Sequence, residues 1–191
     1  YYESIAEPRL REQARGFLGQ EGMHAREHER FNERLAEQGY PVAWAEAKVR
    51  AVLGWLERNE SPGTRLAATC ALEHFTTILS TAMLASPAVH AAMPEEHARL
   101  WRWHWVEELE HKSVAFDLYR EIGGRYLDRV LVMALTSLVL WQPIAWIALS
   151  YQVRDGKLFA LRDWGRTLIW ALIRPGVLLR ALPRYFAYYR P

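Results

Sequence analysis

Cysteine is almost absent: Cys70 is the only one in 191 residues. That excludes an intrachain disulfide and a thiolate zinc site, and it fits a reducing, cytoplasmic compartment. No Gly-x-Ser-x-Gly elbow occurs, so hydrolysis by this chain would have to be driven by a metal rather than by an activated serine. Neither sign of charge is in excess. The net charge is +2, and no basic stripe with interleaved aromatics crosses the first 120 residues, so nucleic acid is not an expected partner. No acidic iron-uptake surface is evident either, which argues against a storage role.

What the chain does have is histidine placed beside carboxylate. Five of its seven histidines fall in or next to two stretches that echo each other, Glu21-Gly-Met-His24-Ala-Arg-Glu-His28 and His104-Trp-Val-Glu107-Glu108-Leu-Glu-His111, with Glu73-His74 between them. On a helix, Glu21, His24 and His28 share a wedge of roughly 60°, and so do His104, Glu108 and His111. Glu-x-x-His offers a metal a carboxylate oxygen and an imidazole nitrogen one turn apart. Two such motifs on facing helices, with further Glu from their neighbours, form the ligand set of carboxylate-bridged di-iron and di-manganese bundles. The competing reading, a solvated face of i, i+4 ion pairs, is permitted by the Arg and Glu density of residues 26–34.

The fold expected is all-α, a ferritin-like helical bundle over residues 1–124 with a hydrophobic helical appendage over 125–191. Helices are expected at about 8–38, with Pro8 in the first turn and Gly39 as the stop, then at 43–58, 65–85 and 94–122. The second of these reads as a crossover along the bundle. Gly16, Gly19 and Gly22 inside the first suggest close packing against a neighbour or room near a metal. Glu73 falls in an apolar run, where a carboxylate is costly to bury without a metal or a cation. Trp101, Trp103 and Trp105 cannot all face one side, and packing against the C-terminal segment is preferred to substrate stacking.

After Gly124 the composition changes. Val130 to Leu149 is uncharged for twenty residues, broken only by Gln142-Pro143, long enough to span a bilayer. A span, a membrane-surface appendage and soluble packing, including burial against a second copy in a homodimer, all remain open; the surface appendage is favoured. The tail from Arg180 to Arg190 reads as an interfacial anchor, with Tyr185, Tyr188 and Tyr189 at headgroup level and Arg174, Arg180, Arg184 and Arg190 on anionic lipid. The expected location is the inner face of the membrane and the expected substrate hydrophobic or lipid-like.

Gly19-Gln-Glu21-Gly-Met-His24-Ala-Arg-Glu-His28, Leu72-Glu73-His74-Phe-Thr76 and Trp103-His104-Trp-Val-Glu107-Glu108-Leu-Glu-His111-Lys-Ser-Val-Ala-Phe-Asp117 resemble the bacterial proteins grouped as predicted metal-dependent hydrolases. The resemblance implies a ferritin-like site and a metal-dependent activity. In that family the pattern begins with a helix carrying another Glu, whereas this sequence opens at Tyr1-Tyr2-Glu3-Ser4. An upstream helix with one more Glu ligand is therefore expected, or else Glu3 stands in for it.

The ligands expected are Glu21, His24, Glu73, Glu108 and His111, holding two Fe ions or, in their place, Mn or Zn. Glu107, His28, His104 and His74 are expected around them, orienting ligands or moving protons. The carboxylate-rich set favours oxygen-dependent oxidation of an apolar substrate; the alternative is hydrolysis of an ester or phosphoester by a metal-bound water.

Overall fold

The computed structural model describes residues 5–191, and Glu3 lies outside them. Among the described residues the chain is all-α, with eight helices and no strand. They are α1 (Pro8–Glu37), α2 (Val42–Asn59), α3 (Pro62–Leu84), α4 (Pro87–Ala91), α5 (Glu95–Glu121), α6 (Tyr126–Arg154), α7 (Leu161–Leu172) and α8 (Val177–Ala187). The boundaries follow local chemistry. Pro8 and Pro62 sit in first turns, where no amide is needed, and the Ser61 hydroxyl accepts from the Thr64 amide at 3.1 Å as an N-cap. Gly123 ends α5 at φ +75, and a Cβ on Gly124 would stand 2.3 Å from the Tyr119 ring, so that turn needs glycine at both positions. The short α4, framed by Pro87 and Pro94, has no signal in the apolar periodicity because five residues are too few to show one.

The frame is built on α5, with α1 and α3 antiparallel to it. Leu10 and Ala14 of α1 pack on Val114 and Leu118; Ala67 and Cys70 of α3 pack on Ala115 and Tyr119; Ala82 packs on Trp105. The pairs run in opposite directions, and both seams pass the same stretch of α5. Gly16, Gly19 and Gly22 do not pack against a neighbour. A Cβ at any of the three would meet nothing within 4 Å, so their effect is to weaken α1 on its outward side.

The core crosses residue 124. Ala71, Phe75 and Ile78 of α3 share one cluster with Met133 of α6 and with Ala181 and Tyr188 of the α8 region. Arg129 holds that junction: buried, it donates to the carbonyls of Tyr188 at 2.7 Å and Arg190 at 2.9 Å, with its guanidinium over the rings of Tyr188, Phe116 and Tyr126. This corrects the reading of the tail tyrosines as lipid anchors. Tyr188 is buried, and Tyr185 bonds Ser137 and Tyr189 through its hydroxyl, because 181, 185 and 188 lie on the face of α8 turned to α3 while the side chains of Arg180 and Arg184 stand exposed along one edge of it.

Replacing Arg129 by Met should destabilise the protein by about 3 kcal/mol, since two carbonyls lose a charged donor in a buried place. Urea unfolding of both proteins tests this, and an unchanged midpoint would mean that the tail is not docked as described.

Candidate metal centre

Because α1 and α5 run antiparallel, their two Glu-x-x-His motifs meet face to face. One ligand atom each from Glu21, His24, Glu108 and His111 lies within 4.8 Å of the others, with His24, Glu108 and His111 buried and Glu21 partly open. His111 Nδ1 is 2.9 Å from Glu21 Oε1, 3.6 Å from Glu73 Oε2 and 3.9 Å from Glu108 Oε2. His24 Nδ1 is 3.3 Å from Glu21 Oε1 and 3.5 Å from Glu108 Oε1. Glu21 and Glu108 therefore each face both imidazoles, and Glu73 of α3 joins them on the His111 side.

Both imidazoles turn the same nitrogen inward. His24 Nε2 donates to Glu107 Oε2 at 2.8 Å, and His111 Nε2 donates to Gln20 Oε1 at 3.1 Å. Gln20 Nε2 in turn donates to Glu107 Oε1 at 3.2 Å and to Glu110 Oε2 at 3.3 Å. The result is one hydrogen-bonded chain, His111 to Gln20 to Glu107 to His24, that fixes both rings and leaves both Nδ1 atoms for the centre. Sequence reasoning assigns no role to Gln20. Its signal is position alone, one turn before His24 on the α1 face that meets α5.

His104 and His28 continue outward from His24. The His104 ring lies 4.2 Å from that of His24 and 5.1 Å from that of His28, and His104 Nε2 is 3.5 Å from Glu108 Oε1. Trp103 meets His24 edge-on at 5.3 Å, and Trp101 lies between His104 and Phe31, so these two indoles wall the outer end of the histidine row. Trp105 shares a buried cluster with Val177 of the C-terminal segment, and Trp101 packs against that cluster. His74 is also placed differently from expectation. Next to Glu73 but about 100° around α3, it bonds the Arg184 carbonyl at 3.0 Å and packs on Tyr188.

The donor set can be tested against a metal by its unmet needs. His24 Nδ1, His111 Nδ1, Glu73 Oε2 and Glu108 Oε2 are buried and none is in hydrogen-bonding geometry. Four buried polar atoms converging without such partners are costly, and a divalent ion with a taste for carboxylate and imidazole, such as Fe, Mn or Zn, would satisfy them together.

Without an ion, a proton does part of that work. Burial opposes the His111 cation, but the carboxylates of Glu21, Glu73 and Glu108 outweigh it and its pKa is pushed up to about 10. The Glu21 carboxyl is lowered, chiefly by His111, while burial first and then Glu73 raise that of Glu108. His104 goes the other way, pushed down to about 4 by burial and by its histidine neighbours, and is neutral at pH 7. A raised His111 stabilises the metal-free fold fully below its unfolded value of about 6.5, and the contribution fades as pH rises through about 10. In chelator-stripped protein the melting temperature should therefore fall between about pH 7 and pH 10, and His111→Gln should flatten that fall. Restored Zn or Mn should raise the melting temperature of the wild type and not that of the variant. A stripped protein indifferent to pH over this range would contradict the ionised cluster.

A family model described as "predicted metal-dependent hydrolase" matches residues 1–191, the whole chain, and the chain belongs to that family. No curated protein and no solved structure matches it.

Proposed function

We propose that this member of the predicted metal-dependent hydrolase family cleaves an ester or phosphoester of a hydrophobic substrate at a two-ion centre held by Glu21, His24, Glu73, Glu108 and His111. The observation that carries this reading is that Glu21 and Glu108 each face the inward nitrogens of both histidines, the disposition expected of carboxylates shared between two ions. Two divalent ions there would lower the pKa of a water and polarise the scissile carbonyl or phosphoryl group. Family membership favours this chemistry over the oxygen-dependent oxidation that the ligand types suggest by themselves.

The remaining residues have roles that follow from their positions. Glu107 and Gln20 keep the imidazoles from rotating, so both Nδ1 atoms stay aimed at one spot. His104, neutral at pH 7, can take a proton at Nε2 on the Glu108 side, and His28 stands beyond it as the next acceptor. Trp101, Trp103 and Phe31 give the approach an apolar wall, which suits an acyl or aryl group better than a sugar or a free phosphate.

The test is turnover of p-nitrophenyl fatty-acyl esters and of bis-p-nitrophenyl phosphate by stripped protein reloaded with Zn, Mn or Fe(II). Hydrolysis should need metal at two ions per chain, vanish in Glu21→Gln, and fall by about 10²–10⁴ in His104→Ala. Absence of hydrolysis with every metal, together with oxygen uptake after anaerobic Fe(II) loading, would overturn the reading in favour of oxidation.

A further inference from the structure

The largest unexplained feature is the outer side of α6 and α7. α6 is long and apolar enough to cross a membrane, yet only 6% of its most apolar stretch is buried. Leu131, Leu135 and Leu138 stand 61–65% exposed at helical spacing, on the side away from Met133, with Trp146 at 60%. The surface continues through Phe159, 87% exposed, and Leu161, 81% exposed, to Leu168, Ile169 and Ile173. Soluble monomers rarely leave an apolar patch larger than about 300–600 Å², so this one needs a cover.

Both ends of α6 are tied to the bundle. At the start, Arg129 is bonded to the Tyr188 and Arg190 carbonyls. At the far end, Tyr151 packs on Tyr40 of the α1–α2 turn at 4.6 Å, the Tyr40 hydroxyl donates to Asp155 at 3.0 Å, and Arg154 lies over the Tyr40 ring while donating to the Gln38 carbonyl. α6 therefore runs along the body for its whole length. Were it to span a bilayer, α1 would follow it into hydrocarbon with its exposed Arg26, Glu29, Arg30 and Glu33, at a cost no contact here offsets.

Charge selects the cover. Residues 156–191 hold seven Lys or Arg against the single acid Asp163, a net +6, which leaves residues 1–155 at −4 of the chain's +2. All seven, Lys157, Arg162, Arg166, Arg174, Arg180, Arg184 and Arg190, are exposed. A two-fold dimer through this face would bring together two surfaces of the same positive sign. Anionic lipid opposes them with the right sign, and exposed Trp141, Trp146 and Trp170 suit the headgroup layer. We propose that the α6–α7 face docks flat on an anionic phospholipid bilayer, with α6 in the plane of the membrane and not across it. This stands independently of the chemistry at the metal centre.

The full-length protein should float with phosphatidylcholine vesicles that contain phosphatidylglycerol and bind poorly to phosphatidylcholine alone. Each cation removed should weaken partitioning about fivefold, so Arg162→Gln with Arg180→Gln should lose roughly 30-fold. Phe159→Ser with Leu161→Ser, both fully in solvent and outside the core, should weaken binding without changing the melting temperature. For orientation, single cysteines at Arg125→Cys and at the exposed Glu37→Cys, beside the Gln38 carbonyl that Arg154 bonds, mark the two ends of α6, and Cys70 is silent because burial holds its thiol up at about 12. On sealed vesicles, an impermeant maleimide added outside should label both. Protection of one of the two would mean a span and overturn the in-plane proposal. So would a full-length protein that ignores both kinds of vesicle, or one that sediments as a dimer broken by Leu135→Arg.

Discussion

The hydrogen-bonded chain from His111 through Gln20 and Glu107 to His24 is the constraint on which the site depends. A histidine at a helix surface has a freely turning ring and two nitrogens of similar affinity for a metal. Here each ring spends Nε2 on a fixed partner, the Gln20 amide oxygen at 3.1 Å or the Glu107 carboxylate at 2.8 Å, and only Nδ1 is left facing inward. Gln20 and Glu107 sit on opposite helices, so the chain also sets the register of α1 against α5. A slip of one turn, about 5.4 Å, would break all three bonds at once. Packing supports the same register from below through Leu10, Ala14 and Val114, and from above through Phe31 and Trp101.

That register has a cost which explains the surroundings. Glu21, Glu73 and Glu108 are brought together around two imidazoles in a body made only of helices, where backbone amides are already used within each helix and cannot solvate a carboxylate. Like charges at this range are tolerated only with a counter-charge. His111 supplies it as a cation when no ion is bound, which is why its pKa climbs to about 10 in spite of burial. His104 has no carboxylate dominating its field and drops to about 4. Two histidines seven residues apart on one face of α5 thus reach opposite protonation states, one suited to holding charge at the centre and the other to accepting a proton beside it.

The all-α class, the helices bearing the motifs and the wedge of ligand types were legible in the sequence because they depend on periodicity within one helix. Glu73 was legible for a related reason, as a carboxylate in an apolar run. What escaped depends on how one helix is rotated against another. Gln20 and His74 are both one residue from a motif position, yet Gln20 faces α5 while His74 faces α8, and only the packing of the partner helix decides which. The tail tyrosines misled in the same way. Tyr and Arg mixed along a sequence look amphipathic and membrane-seeking, but the folded α8 sorts them, turning Tyr185 and Tyr188 inward against Phe75 and His74 and leaving the arginines outside. The glycines of α1 suggested a close neighbour; the space beside them is open.

The same sorting links the outer surface to the centre. α3 touches both: its Glu73 faces His111, and its Phe75 and Ile78, a few residues on, pack against Met133 of α6. α6 therefore cannot be pulled away without loosening the helix that carries a candidate ligand. Arg129 adds a second tie, since it binds the tail carbonyls that lie beside the partner of His74, the Arg184 carbonyl. A force applied to the apolar face is felt at α3 through Phe75 and Ile78 and at α5 through Phe116 and Ala115, so Glu73 and Glu108 are the carboxylates exposed to it, while Glu21 belongs to α1 on the other side of α5. If the centre responds to what covers α6, the response should appear first on the His111 side of the site, where Glu73 stands 3.6 Å from Nδ1, and reach His24 through Glu108, 3.5 Å from its Nδ1.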